Sequence, residues 1–250
     1  MTLIATAISQ YGIVHAADGR LTSYPQHVTA GRRVFALGFA SAALSVTGRY
    51  EVGGAALDEW MLAAIEEYRL TTERPTLSAF AARLRERLIP HTNPHHRRMI
   101  QVAGYAEEGQ YAHPELYFLR NIPGKAPDGT YCEPSGEFHL TEDFWSRDYL
   151  SDETRATVDS GGAHIYYNGF PSERLAYMML HRRIHDFYRQ VWSSSRRFRS
   201  PSSLEEMAVF VELTLNATAA FLGSGDHHGD RSQLGLQLEI IPAPPNAIRL

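Results

Sequence analysis

Apolar and polar positions divide the chain into alternating blocks of strand and helix. Leu3 to Ile8 is an apolar run, Tyr11-Gly12 a turn, and Ile13 to Ala17 a second apolar run that stops at Asp18. Together they predict an amino-terminal β-hairpin. Residues 19–31, rich in Gly, Ser, Thr and Pro, read as a loop. Arg32-Arg33-Val34-Phe35-Ala36-Leu37 then opens an apolar strand, and Ala42 to Thr47 forms another that ends at Gly48. These runs predict a four-strand antiparallel meander.

The period then changes. Leu57, Trp60, Met61, Ala64, Ile65 and Tyr68 recur at the spacing of an amphipathic helix, and Pro75 ends that segment. Thr76 can cap a second helix with the stripe Leu77, Phe80, Ala81, Leu84 and Leu88, which Pro90 to Pro94 stops. Met99–Tyr105 and Pro114–Leu119 read as strands about a turn at 107–110. Residues 121–153 read as a surface excursion, with a short strand near Phe138 and Leu140. Ala156 to Gly162 follows, then a helix from Pro171 towards Trp192 and a basic polar stretch to Ser203. A helix over Leu204–Leu222 closes on Gly223, and Gln233–Ile241 reads as a last strand. No repeat or composition break divides residues 1–250, so the expectation is one α+β domain.

Composition narrows the function classes. The 250 residues are 44% hydrophobic and 21% charged, which suits a globular chain with a full core. A net charge of −4 argues against nucleic acid as the main partner. No run reaches the ~18 apolar residues of a membrane helix, and no basic n-region with a long apolar h-region marks a signal peptide. With one cysteine, Cys132, an internal disulfide is excluded and a reducing, cytoplasmic setting is expected.

Candidate chemistry gathers at the start of the chain. Loss of Met1 exposes Thr2, whose α-amine can serve as base to its own hydroxyl, and the hairpin returns Asp18 beside the terminus. Thr2, Gly12, Asp18 and Arg20 fall without a gap on the places of the proteasome β-subunit family of N-terminal nucleophile hydrolases, which this chain resembles. The resemblance implies a four-layer αββα sandwich, with two antiparallel sheets between helix pairs. It implies Thr2 as nucleophile, Asp18 as the carboxylate that orients the amine and a neighbouring cation, Gly48 as the oxyanion glycine, and Ser160 of Ser160-Gly161-Gly162 as a contact to the amine. The cation falls on Arg33, with Arg32 as the other candidate. Here the chain departs from the family, which has lysine. The family's later Asp-x-x-Ser has no clean counterpart among Asp226, Asp230 and Ser232.

Arginine keeps the positive charge but does not release a proton near neutral pH. The resemblance therefore leaves two readings: a threonine-type peptidase or amidohydrolase acting on a peptide or amide substrate, or a non-catalytic scaffold or binding subunit. It also implies a ring or spiral homo-oligomer, to which Phe144, Trp145, Tyr149 and Trp192 could lend apolar surface. An ATPase partner is left open, and no cofactor is implied. A separate reading takes His91, His95 and His96, or His227 and His228 with Asp226 and Asp230, as metal ligands. Neither group has a ligand spacing set by a helix or a cysteine pair.

Overall fold

The computed structural model describes residues 3–18, 20–23, 27–91, 98–121, 124–125, 131–132, 139–140, 158, 163–168, 201–223 and 236–247. In chain order the strands begin with β1 (Ile4–Ser9), β2 (Gly12–Asp18), β3 (Arg20–Ser23), β4 (His27–Ala30), β5 (Val34–Leu37), β6 (Ala42–Gly48), β7 (Glu51–Val52) and β8 (Ala55–Ala56). Helices α1 (Leu57–Thr71) and α2 (Leu77–Leu88) follow, then β9 (Arg98–Glu108), β10 (Tyr111–Arg120), β11 (Gly124–Lys125), β12 (Tyr131–Cys132), β13 (His139–Leu140) and β14 (Ala163–Asn168). Helix α3 (Leu204–Gly223) and strand β15 (Leu236–Pro242) complete the described elements.

Two antiparallel sheets form the centre. One has the order β14-β1-β2-β15 and the other β13-β10-β9-β6-β5. Helices α1 and α2 cover the outer face of the second sheet, where Met61, Tyr68, Phe80 and Leu84 pack on Leu44, Val102, Tyr117 and Leu119. Helix α3 covers the outer face of the first, with Met207, Val211 and Leu215 against Ala5, Val14 and Ala16. Between the sheets lie Ile8, Ile13, Ala43, Ala103, Leu116 and Ile241. The layer order is helix, sheet, sheet, helix, the arrangement that the resemblance to the proteasome β-subunit family implies.

Local chemistry accounts for the helices. In α2 the Thr76 hydroxyl accepts the Ala79 N–H at 3.2 Å, and its apolar stripe is buried as its spacing predicts. In α1 the stripe is also buried except for Trp60, which is half-exposed and lies beneath the Arg87 guanidinium, 5.4 Å from ring centroid to Cζ. The β1–β2 turn needs glycine. Gly12 has φ +147°, and a Cβ there would stand 2.3 Å from the Ile241 carbonyl oxygen.

Two expectations are corrected. The first four apolar runs pair as two hairpins, β1 with β2 and β5 with β6, but each joins a different sheet. Strands β1 and β2 are buried along their whole length. Runs apolar on both faces need cover on both faces, which a single sheet beneath one helix layer does not give them. Second, the segment read as a loop over 19–31 contains the β3–β4 hairpin, pairing Arg20 with Ala30 through Ser23 with His27. The helix expected over 171–192, the aromatic residues Phe144, Trp145, Tyr149 and Trp192, and most of the 121–153 excursion lie outside the described residues.

Candidate active site

The site is assembled where three chain segments meet: the end of β2, the approach to β5 and the end of β6. Asp18 closes β2 and is 5% exposed. Its backbone N–H donates to the Leu3 carbonyl at 3.0 Å, and Leu236 of β15 is its register partner on the other side. The described chain starts at Leu3; Thr2 and Ser160 lie outside the described residues, as do His95, His96, His227 and His228.

Arg33 enters from the neighbouring sheet and is 3% exposed. The Arg33 and Val34 N–H groups both donate to Gln237 Oε1, at 2.6 and 3.2 Å, and Gln237 Nε2 donates to the Gly31 carbonyl at 2.7 Å. One side chain of β15 thus ties the approach to β5 across the two sheets. Arg33 Nη1 donates to the Gly48 carbonyl at 2.9 Å, and Arg33 Cζ lies 4.9 Å from the Tyr50 ring centroid. Its Nε is buried and has no hydrogen-bond partner among the described residues.

Electrostatics link these groups. Burial pushes the Arg33 guanidinium down to about 10, while Tyr50, Asp18 and Asp58 pull it back up and Arg98 adds to the depression. It stays a cation at neutral pH. The coupling of Asp18 to Arg33 is through its field, and the guanidinium's hydrogen bond goes to Gly48. Arg32, the other candidate cation, is exposed and lies over the Phe35 ring at 5.2 Å. Gly48 has φ +107°, a conformation that favours glycine, so the residue identity at the strand end is set by the backbone as well as by any chemistry.

Two features have no counterpart in the sequence reading. Arg98 is fully buried opposite Gly48 in the β6–β9 register. Its Nε donates to the Arg49 carbonyl at 3.3 Å and its Nη2 to the Glu51 carbonyl, so it fixes the turn that follows Gly48. Burial, and then Arg49, push it down to about 10, with Glu51 opposing. The signal was present but unspecific: Arg97-Arg98 precedes an apolar strand just as Arg32-Arg33 does. The second feature is a buried polar chain between the sheets. Thr6 Oγ1 donates to Gln101 Oε1 at 2.5 Å and lies 3.2 Å from His15 Nδ1; His15 Nε2 lies 3.3 Å from the Ala103 carbonyl. Burial pushes His15 down to about 4 against that carbonyl's opposing pull, so the ring is neutral at pH 7. Facing a carbonyl, Nε2 must carry the proton, which leaves Nδ1 as an acceptor for the Ser45 hydroxyl at 3.4 Å.

The histidine reading finds no metal-binding group among the described residues. His91 instead stands edge-on to Trp60, with ring centroids 6.2 Å apart. No helix among the described residues is long and apolar enough to cross a membrane.

No family model matches the chain, and no curated protein matches it. Among solved structures the chain is similar to the Gly-1 mutant of Anbu from Hyphomicrobium sp. strain MC1. That likeness has 13% identity and a TM-score of 0.52, over 97% of this chain and 82% of that one. Anbu from Yersinia bercovieri, described as an ancestral beta-subunit, is matched over the same shares at 13% identity, with a TM-score of 0.45. At such identity the Hyphomicrobium likeness speaks to fold. The chain shares with that protein an α+β sandwich of two antiparallel sheets between helices.

Proposed function

We propose that this chain is an N-terminal threonine hydrolase of the proteasome-like group, cleaving a peptide or other amide bond through an acyl-enzyme on Thr2. The observation that carries the reading is the meeting of Asp18, Arg33 and Gly48 beside Leu3, the residue next to Thr2: the Asp18 N–H donates to the Leu3 carbonyl, and Arg33 joins the Asp18 field to the end of β6. After removal of Met1, the free α-amine takes the hydroxyl proton as Thr2 Oγ1 attacks the amide carbon. The protonated amine then gives that proton to the leaving nitrogen as the C–N bond breaks. Water, deprotonated by the same amine, hydrolyses the resulting ester and restores Thr2. Arg33 supplies a fixed positive charge that favours the alkoxide and takes no part in the proton transfers. A Gly48 N–H donating to the tetrahedral oxyanion would lower the barrier by ~3 kcal/mol.

In this reading the resemblance to the proteasome β-subunit family brings with it a homo-oligomer of ring or spiral form. Exposed Val209 and Leu213, one turn apart on α3, offer apolar surface for such packing. The second reading, a non-catalytic subunit, draws on one fact: the Arg33 guanidinium is engaged by Gly48 and Tyr50 and cannot act as a proton shuttle.

Intact mass and covalent labelling test the proposal together. The mature chain should be lighter by one methionine and should gain one equivalent of a peptide epoxyketone, and Thr2→Ala should abolish the label while leaving the fold intact. A demethionylated chain that takes no label and cleaves no member of a broad peptide-amide library is the scaffold subunit instead.

A further inference from the structure

The site holds a guanidinium where the resemblance calls for an ammonium, and the structure surrounds that guanidinium with contacts suited to its shape. Gly48 and Tyr50 leave β6 two residues apart. The first accepts from Arg33 Nη1 at 2.9 Å, and the second presents its ring to Arg33 Cζ at 4.9 Å. A planar, weakly hydrated cation gains from stacking on an aromatic face, whereas a compact ammonium has no plane to stack. Tyr50 is itself anchored. Its hydroxyl oxygen accepts the Arg32 N–H at 2.9 Å, so it grips the backbone beside Arg33 while its ring meets the Arg33 side chain. The segment beneath is held by the buried Arg98, which donates to the carbonyls on either side of Tyr50. Burial first, and the Asp58 carboxylate second, push the Tyr50 phenol up to about 12, which keeps its ring neutral across the working range.

We propose that Tyr50 is a positioning residue for Arg33, the platform that holds the guanidinium against the Gly48 carbonyl, and that this site is built for arginine and not for lysine. Its catalytic consequence rests on the threonine-hydrolase reading above. The positioning itself does not.

The test uses the mature full-length protein as wild type, Tyr50→Phe, Tyr50→Leu, Arg33→Lys and the Arg33→Lys/Tyr50→Leu double variant. The first readout is the Arg33 Nε–H resonance in protein carrying 15N-arginine, assigned by its disappearance in Arg33→Lys. The ring current should hold it upfield in wild type and in Tyr50→Phe. In Tyr50→Leu it should return downfield and exchange with solvent roughly tenfold faster. The second readout is the rate of epoxyketone labelling. It should stay near wild type in Tyr50→Phe and fall roughly tenfold in Tyr50→Leu and in Arg33→Lys, with little further loss in the double variant.

An Nε–H resonance that does not move in Tyr50→Leu overturns the proposal, as does equal loss in Tyr50→Phe and Tyr50→Leu. Should Tyr50→Leu not fold, Arg33→Lys decides: labelling at or above the wild-type rate means the site is not built for arginine. If wild type takes no label at all, the hydrolase reading fails while the resonance still decides what Tyr50 does.

Discussion

Gln237 offers a quantitative test of how the approach to β5 is held. Its side chain accepts from the Arg33 and Val34 N–H groups and donates to the Gly31 carbonyl. Gln237→Leu keeps most of the volume and removes all three bonds. The side chain is half-buried, so water can reach part of what is stranded. A net ~1 kcal/mol per bond is therefore the appropriate scale, in place of the full cost of a sealed, unsatisfied group. The expected loss is ~3 kcal/mol, which for a chain of this size is a fall in Tm of roughly 6–12 °C. Gln237→Glu keeps the two acceptor contacts but sets a carboxylate oxygen against the Gly31 carbonyl, so it should cost at least the one lost bond, ~1 kcal/mol or more. Urea unfolding of wild type and both variants, with unchanged m-values, measures the stabilities. Hydrogen exchange at the Arg33 and Val34 amides locates the effect. A Tm of Gln237→Leu within a degree or so of wild type, with both amides equally protected, would refute the reasoning, for it would mean that sheet packing alone holds this segment.

Two further outcomes follow from the core. His15 is buried and neutral, with its proton affinity lowered from 6.5 to about 4, so the unfolded chain binds a proton that the folded chain refuses. Its contribution is intact above pH 6.5 and is lost as pH falls from 6.5 to about 4, at ~1.4 kcal/mol per pH unit. Urea midpoints across that window should show this slope, and a His15→Gln variant that keeps the full slope would assign it elsewhere. Gly12→Ala meets the Ile241 carbonyl and an unfavourable φ together. It should destabilise by ~3 kcal/mol or more, read as a lower urea midpoint, and a loss under ~1 kcal/mol would mean that β15 can shift away from the turn.

The candidate site was partly legible in the sequence. Asp18, Arg33 and Gly48 are picked out by the resemblance to the proteasome β-subunit family, whose positions fall at the ends or starts of apolar strands visible in the pattern. The structure places them together, Arg33 reaching Gly48 directly and Asp18 through its field. Tyr50, Arg98 and Gln237 were not legible. Each acts through a single hydrogen bond set or ring face, and such contacts leave no periodic trace. Gln237 stands 204 positions from the backbone amide it satisfies. The same is true of Thr6, His15, Ser45 and Gln101, polar residues inside apolar strands whose mutual pairing becomes visible only when the sheets face each other.

The sequence by itself determined the local elements. The stripes of α1 and α2, the Thr76 cap, the Gly12 turn and the strand lengths depend on neighbours a few residues apart, where side-chain period and backbone sterics act directly. Tertiary structure decided which sheet each strand joins. Both faces of β1 and β2 are apolar, and an apolar face is satisfied by any apolar partner; only the simultaneous packing of α3, two sheets and the α1–α2 pair selects one arrangement. It also decided the chemistry of Arg33. A buried cation is stable only where carbonyls, ring faces and distant carboxylates converge on it, and in this chain those groups come from the end of β2, the turn after β6 and the start of α1.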